Sequence, residues 1–124
     1  MSGYKDISSR DAKQMIDKED VYVLDVRTPS EFNSSHIKGA ILIPVTNVFG
    51  SNLSSDQLLQ ARTDEVPKDK KVLVYCRTGK RSEAASGMLV KAGNFQVYNL
   101  VGGLNAWKEA GLPVVSSEEE KGKS

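Results

Sequence analysis

Short apolar runs alternate along this chain with polar segments of helical spacing. Val21–Val26 (VYVLDV) and Val72–Tyr75 (VLVY) are nearly unbroken apolar stretches rich in β-branched and aromatic residues, and they read as strands buried on both faces. Ala40–Pro44 (AILIP) reads as another buried strand closed by its proline, and Val97–Leu100 as a fourth. Between the strands the period changes. Ala12, Met15 and Ile16 follow Ser8–x–x–Asp11, which resembles a capping box, and predict a helix near residues 9–18. Thr28–Pro29–Ser30–Glu31 marks a second helix, with Thr28 at the N-cap, Pro29 at N1 and Glu31 at N3; Ser34–Ser35–His36 and Gly39 keep it brief. Residues 46–55 carry turn formers and read as a surface loop. Ser54–x–x–Gln57 then predicts the cap of a helix holding Leu58, Leu59 and Ala61. Ala84, Ala85, Met88, Leu89 and Ala92 form an amphipathic stripe that Gly93 stops, in a helix opening at Ser82. Gly102–Gly103 turns into a last helix with Leu104 and Trp107 on one face, and Ser116–Ser124 reads as a frayed polar tail. This alternation predicts an α/β fold: a central parallel β-sheet flanked by helices on both faces, with ligands bound outside the carboxyl ends of its strands.

Composition narrows the picture. A chain of 124 residues, 39% hydrophobic and 27% charged, fits one globular domain, taken as 1–115 with a polar tail at 116–124. A formal net charge of +1 gives no reason to expect nucleic acid or a membrane as partner. No apolar run approaches the ~20 residues of a membrane span, and the N-terminus MSGYKDISS lacks the apolar core of a signal peptide, so a cytoplasmic location is expected. One cysteine makes no intramolecular disulfide, and spacing for a zinc site is absent; no cofactor is implied.

That single cysteine, Cys76, is where the chemistry concentrates. It follows the central strand, and Arg77, Thr78, Gly79, Lys80 and Arg81 form a short loop before Ser82 opens a helix. Backbone N–H groups of such a loop and of the first helical turn converge on the sulfur, and the helix dipole and three cations favour its anionic form. This arrangement makes a nucleophile. The three cations also form a funnel for an anionic substrate. Other conspicuous residues have structural readings. His36 anchors a turn before a strand, Asp25 and Arg27 form a buried ion pair at a strand end, and Trp107 with Leu104 packs a helix. Gly102–Gly103 lacks the three-glycine spacing of a nucleotide site.

Four segments together, Leu24–Phe32 (LDVRTPSEF), His36–Pro44 (HIKGAILIP), Val74–Ser82 (VYCRTGKRS) and Val97–Val114 (VYNLVGGLNAWKEAGLPV), resemble the successive signatures of a single-domain rhodanese. The resemblance implies the rhodanese-like fold and sulfurtransferase chemistry. Cys76 would accept a sulfane sulfur as a persulfide, the backbone of Arg77, Thr78, Gly79, Lys80, Arg81 and Ser82 would cradle it, and Arg77, Lys80 and Arg81 would attract a small anionic donor such as thiosulfate. Cyanide or a thiol would be the acceptor. An alternative within the same loop is a sulfur-carrier module loaded by a protein persulfide donor. Cysteine-dependent phosphatases and arsenate reductases are a more distant alternative: their loop places five residues between cysteine and arginine, whereas four separate Cys76 from Arg81.

Overall fold

The computed structural model describes residues 3–45 and 53–121. Five parallel strands, β1 (Lys5–Ile7), β2 (Val21–Asp25), β3 (Ile41–Leu42), β4 (Lys71–Tyr75) and β5 (Val97–Leu100), form one sheet in the order β1-β5-β4-β2-β3. Around it lie α1 (Ser9–Lys18), α2 (Pro29–Ser34), α3 (Lys80–Lys91), α4 (Gly103–Glu109) and α5 (Ser117–Lys121).

The central strand explains why the sheet is covered on both sides. Side chains alternate along β4, so Val72, Val74 and Cys76 join one core with Leu59, Ala85 and Leu89, while Leu73 and Tyr75 join the other with Ala12, Met15, Leu104 and Trp107. One face is thus closed by α3 and the chain around Leu59, the opposite face by α1 and α4. These side chains are all buried.

The caps form as their residues dictate. Ser8 Oγ accepts the Asp11 N–H at 3.1 Å at the start of α1. Thr28 and Glu31 make a reciprocal capping box, with Pro29 at the first helical position. Elsewhere tertiary contacts override local signals. The anticipated strand at Ala40–Pro44 narrows to Ile41–Leu42, although the Ile43 and Val45 amides still donate to Asp25 O and Val26 O at 3.0 and 3.1 Å; Pro44, between them, has no N–H to give. The helix expected to carry Leu58, Leu59 and Ala61 is instead three 3-10 turns, Ser55–Gln57, Leu59–Ala61 and Thr63–Glu65. Leu58 is extended there, and the Leu59 amide is taken by Pro44 O at 2.8 Å, which seats Leu59 in the core. The anticipated surface loop lies mostly outside the described residues.

Two elements were not anticipated. β1 pairs Lys5, Asp6 and Ile7 with Tyr98, Asn99 and Leu100 of β5. The tail expected to fray forms α5, where Ser116 Oγ accepts from the Glu119 amide and Glu119 Oε1 from the Ser116 amide, each at 3.0 Å. Among the described residues no helix is long and apolar enough to cross a membrane.

Candidate active site

Cys76 directly follows β4, at the carboxyl end of the central strand. The chain turns at Gly79, whose φ of +110° belongs to glycine, and enters α3 at Lys80. The helix therefore begins two residues earlier than its apolar stripe indicates, and Lys80 and Arg81 are helical rather than loop residues. Its buried face also differs from that stripe: Ser82, Ala85, Ser86 and Leu89 point inward and Ala84 is exposed.

The thiol is only 1% exposed, yet its surroundings are polar. The Gly79 amide points at Sγ from 3.1 Å and the Ser82 amide from 3.4 Å, while the thiol donates to Ser82 Oγ at 3.5 Å. Two unpaired amides at a helix N-terminus facing one sulfur provide fixed partial positive charge where an anion would form. An inert core cysteine would see carbon there.

The loop is also held from below. The Leu104 amide donates to Cys76 O at 2.8 Å and the Asn105 amide to Arg77 O at 3.1 Å, so the start of α4 fixes the carbonyl of Cys76 and that of the residue after it. Gly103 makes that approach possible: a Cβ there would lie 2.5 Å from Cys76 O and 2.6 Å from Arg77 O.

The three cations do not act alike. Arg77 and Lys80 are exposed, as is Thr78. Arg81 turns back across the molecule to α2, its Nη1 and Nη2 donating to Glu31 Oε1 and Oε2 at 2.9 and 3.0 Å. Glu31 is thus shared between the α2 capping box and the residue at the mouth of the cysteine loop. Partial burial acts to raise its carboxyl pKa, but hydrogen bonds from Arg81 and Thr28 prevail and hold it down to about 2. The same pairing, partly opposed by burial, keeps the Arg81 guanidinium above its ordinary value. Beside the loop, Arg77, Asn105 and Lys108 face Ser30, Glu31 and Ser34 across a polar cleft of about 240 Å³.

Asp25 and Arg27 form the anticipated buried pair. Arg27 Nη2 reaches Asp25 Oδ2 at 2.7 Å and Nε reaches Oδ1 at 3.0 Å; Nη2 also donates to Ser35 O at 2.6 Å. Burial costs the guanidinium, but the Asp25 hydrogen bond and charge outweigh that and raise its pKa. His36 anchors its turn: Nδ1 lies 2.7 Å from Phe32 O, Nε2 lies 2.8 Å from Glu120 Oε1, and the ring stacks on Phe32. Trp107 is core, with Nε1 donating to Pro113 O at 2.9 Å.

Glu31, Asn99 and Gly103 escaped the sequence reading. Glu31 was visible only as a cap and Gly103 only as a turn. Asn99, which accepts from Ser82 Oγ at 2.6 Å, is a polar residue in an otherwise apolar strand, and that anomaly was its one signal.

The chain and its fold have counterparts among known proteins. The chain is 37% identical over 107 residues to a sulfurtransferase of Allochromatium vinosum, covering 86% of this chain and 90% of that protein. It is 32% identical over 105 residues to the thiosulfate sulfurtransferase GlpE of Coxiella burnetii, covering 85% and 88% of the two. The crystal structure of a rhodanese-related protein from Thermoplasma volcanium superposes with a TM-score of 0.75 at 33% identity, over 90% of this chain and 98% of that one. The rhodanese-like domain profile matches residues 8–110, from the first turn of α1 to the end of α4 and through the whole cysteine loop. The chain belongs to the rhodanese-like domain family.

Proposed function

We propose that this protein is a sulfurtransferase that carries sulfane sulfur as a persulfide on Cys76. Family membership and a single buried cysteine support a function in sulfur transfer. The observation that carries the finer reading is the pair of amides, from Gly79 and Ser82, aimed at Sγ. The cysteine thiolate attacks the outer sulfur of thiosulfate; the new S–S bond forms as the bond to the sulfonate sulfur breaks, and sulfite leaves with the electron pair. Cyanide or a thiolate then attacks the terminal sulfur of the persulfide, releasing thiocyanate or a new persulfide and restoring the Cys76 thiolate. Negative charge stays at the loop throughout, so donors fixed in place help each stage. Exposed Arg77 and Lys80 stand where they attract an anionic donor. Arg81 acts indirectly, through its clamp on Glu31, and an arginine turned away in this manner argues against a phosphate cradle.

Intact mass of the protein after incubation with thiosulfate tests the proposal. We expect a gain of one sulfur atom that cyanide removes as thiocyanate and that Cys76→Ser abolishes. Sulfur loading retained in Cys76→Ser refutes the assignment. Loading from a protein persulfide donor but not from thiosulfate replaces the enzyme reading with that of a carrier.

A further inference from the structure

A polar file crosses the otherwise apolar α3 face of the sheet. Asp6 of β1 lies opposite Asn99 of β5, and Asn99 lies opposite Val74, two residues before Cys76. Asn99 is 2% exposed and Ser82 fully buried, whereas Asp6 is at the surface. Hydrogen bonds link them: Asn99 Nδ2 donates to Asp6 Oδ1 at 3.1 Å, Ser82 Oγ to Asn99 Oδ1 at 2.6 Å, and the Cys76 thiol to Ser82 Oγ at 3.5 Å. A buried Asn–Ser pair in a strand-to-helix packing layer is costly unless satisfied, and here it ends on the reactive sulfur.

The order of donors has a consequence. Ser82 has one hydroxyl proton and three neighbours within reach: Asn99 Oδ1, Gly79 O at 3.0 Å and Cys76 Sγ. A carboxylate accepts only, so Asp6 obliges Asn99 to present its NH₂ outward and its carbonyl to Ser82. The hydroxyl proton is thereby committed to Asn99, and Ser82 meets the sulfur with a lone pair, which suits a thiol and opposes a thiolate. When Cys76 ionises, Ser82 either keeps a lone pair against the anion or turns its proton to sulfur and leaves the buried Asn99 carbonyl unpaired.

We infer that Asp6 and Asn99 are positioning residues that act through Ser82 to oppose the pull of the Gly79 and Ser82 amides on the Cys76 sulfur, so that the edge strand β1 tunes the release of the nucleophile. The inference rests on Cys76 being the nucleophile. The other charged groups around the loop are Arg81 of α3 with Glu31 of α2, the Asp25–Arg27 pair at the end of β2, and exposed Arg77 and Lys80. All of them stay in place in the test.

The test is the rate of Cys76 alkylation against pH in the full-length protein, which needs no sulfur transfer. Asn99→Ala removes the acceptor, and Asp6→Ala frees the Asn99 amide to turn an N–H toward Ser82. Both should lower the pH of half-maximal alkylation by about half to one unit, the worth of one side-chain hydrogen bond. Asn99→Ala keeps the Asp6 carboxylate in place, and raising the salt screens that exposed charge, so the Asp6→Ala shift should persist at high salt. Unmoved midpoints in both alanine variants overturn the inference, and so does an Asp6→Ala shift that high salt abolishes, which would make the effect one of charge alone. Should Asn99→Ala fail to fold, Asp6→Ala at low and at high salt decides the matter. Persulfide mass measured on the same proteins reports separately on the sulfurtransferase reading.

Discussion

Arg27 meets Asp25 across two residues of sequence, with side chains 4% and 0% exposed; Arg81 meets Glu31 across fifty, with both side chains 21% exposed. The two pairs share their chemistry, a guanidinium forked onto a carboxylate. They differ in what surrounds them. In the first, water is gone, Tyr75 lies beneath the guanidinium at 5.6 Å, and Ser35 O takes a further hydrogen bond, so neither charge has a substitute partner. In the second, solvent competes with both partners, but among the described residues no other ion pair joins α2 to the first turn of the helix that faces the sulfur. Burial makes the first pair a fixture of the fold. Reach makes the second a support of the site. Contact type by itself predicts neither role.

The sharpest way to break the comparison is to remove one partner from each pair. Arg27→Met leaves Asp25 buried and unpaired, and should cost roughly 3–5 kcal/mol in urea unfolding, most of it recovered when Asp25→Leu is added. A loss below about 1 kcal/mol would place the first pair in the same class as the second. Arg81→Ala should cost only about 1 kcal/mol or less of stability while lowering kcat/KM for thiosulfate by up to roughly tenfold, and Arg81→Lys should fail to restore it because an ammonium cannot reproduce the two-pronged contact. Equal activity in Arg81→Ala and the parent would show that the clamp does not serve the loop. The last test is in acid. Glu31 is held at about 2 against an ordinary 4.5, so the native state resists its protonation. Its contribution to stability is complete above about pH 4.5 and is lost as pH falls toward 2. Glu31→Gln should therefore flatten the pH dependence of the unfolding midpoint within that window and leave it unchanged in slope above it.

The same contrast explains what was legible beforehand. Asp25–Arg27 could be read because both residues leave one strand together, and the two faces of β4 because alternation is a local property of a strand. The left-handed turn at Gly79 follows from that residue's lack of a side chain. Glu31–Arg81 and Asp6–Asn99–Ser82 were invisible because their members are brought together only by the parallel crossovers. β1 escaped because its lysine and aspartate are exposed at a sheet edge, where no apolar run is required. α3 starts early for a related reason: Gly79 caps it by backbone conformation, with no side-chain bond to signal the boundary. α5 did carry a signal, Ser116–x–x–Glu119, of the kind that correctly marked α2.

The grip of α4 on the cysteine loop has one more implication. The carbonyls of Cys76 and Arg77 are held by the amides of Leu104 and Asn105, and the bend rests on the backbone of Gly79. Arg77, Thr78 and Lys80 project outward and contribute no side-chain bond to that frame among the described residues. The loop's architecture and its outward chemistry are therefore separable. Exchanging the three solvent-facing residues would alter the charge and size of the loop's outer surface while leaving the geometry around the sulfur unaltered.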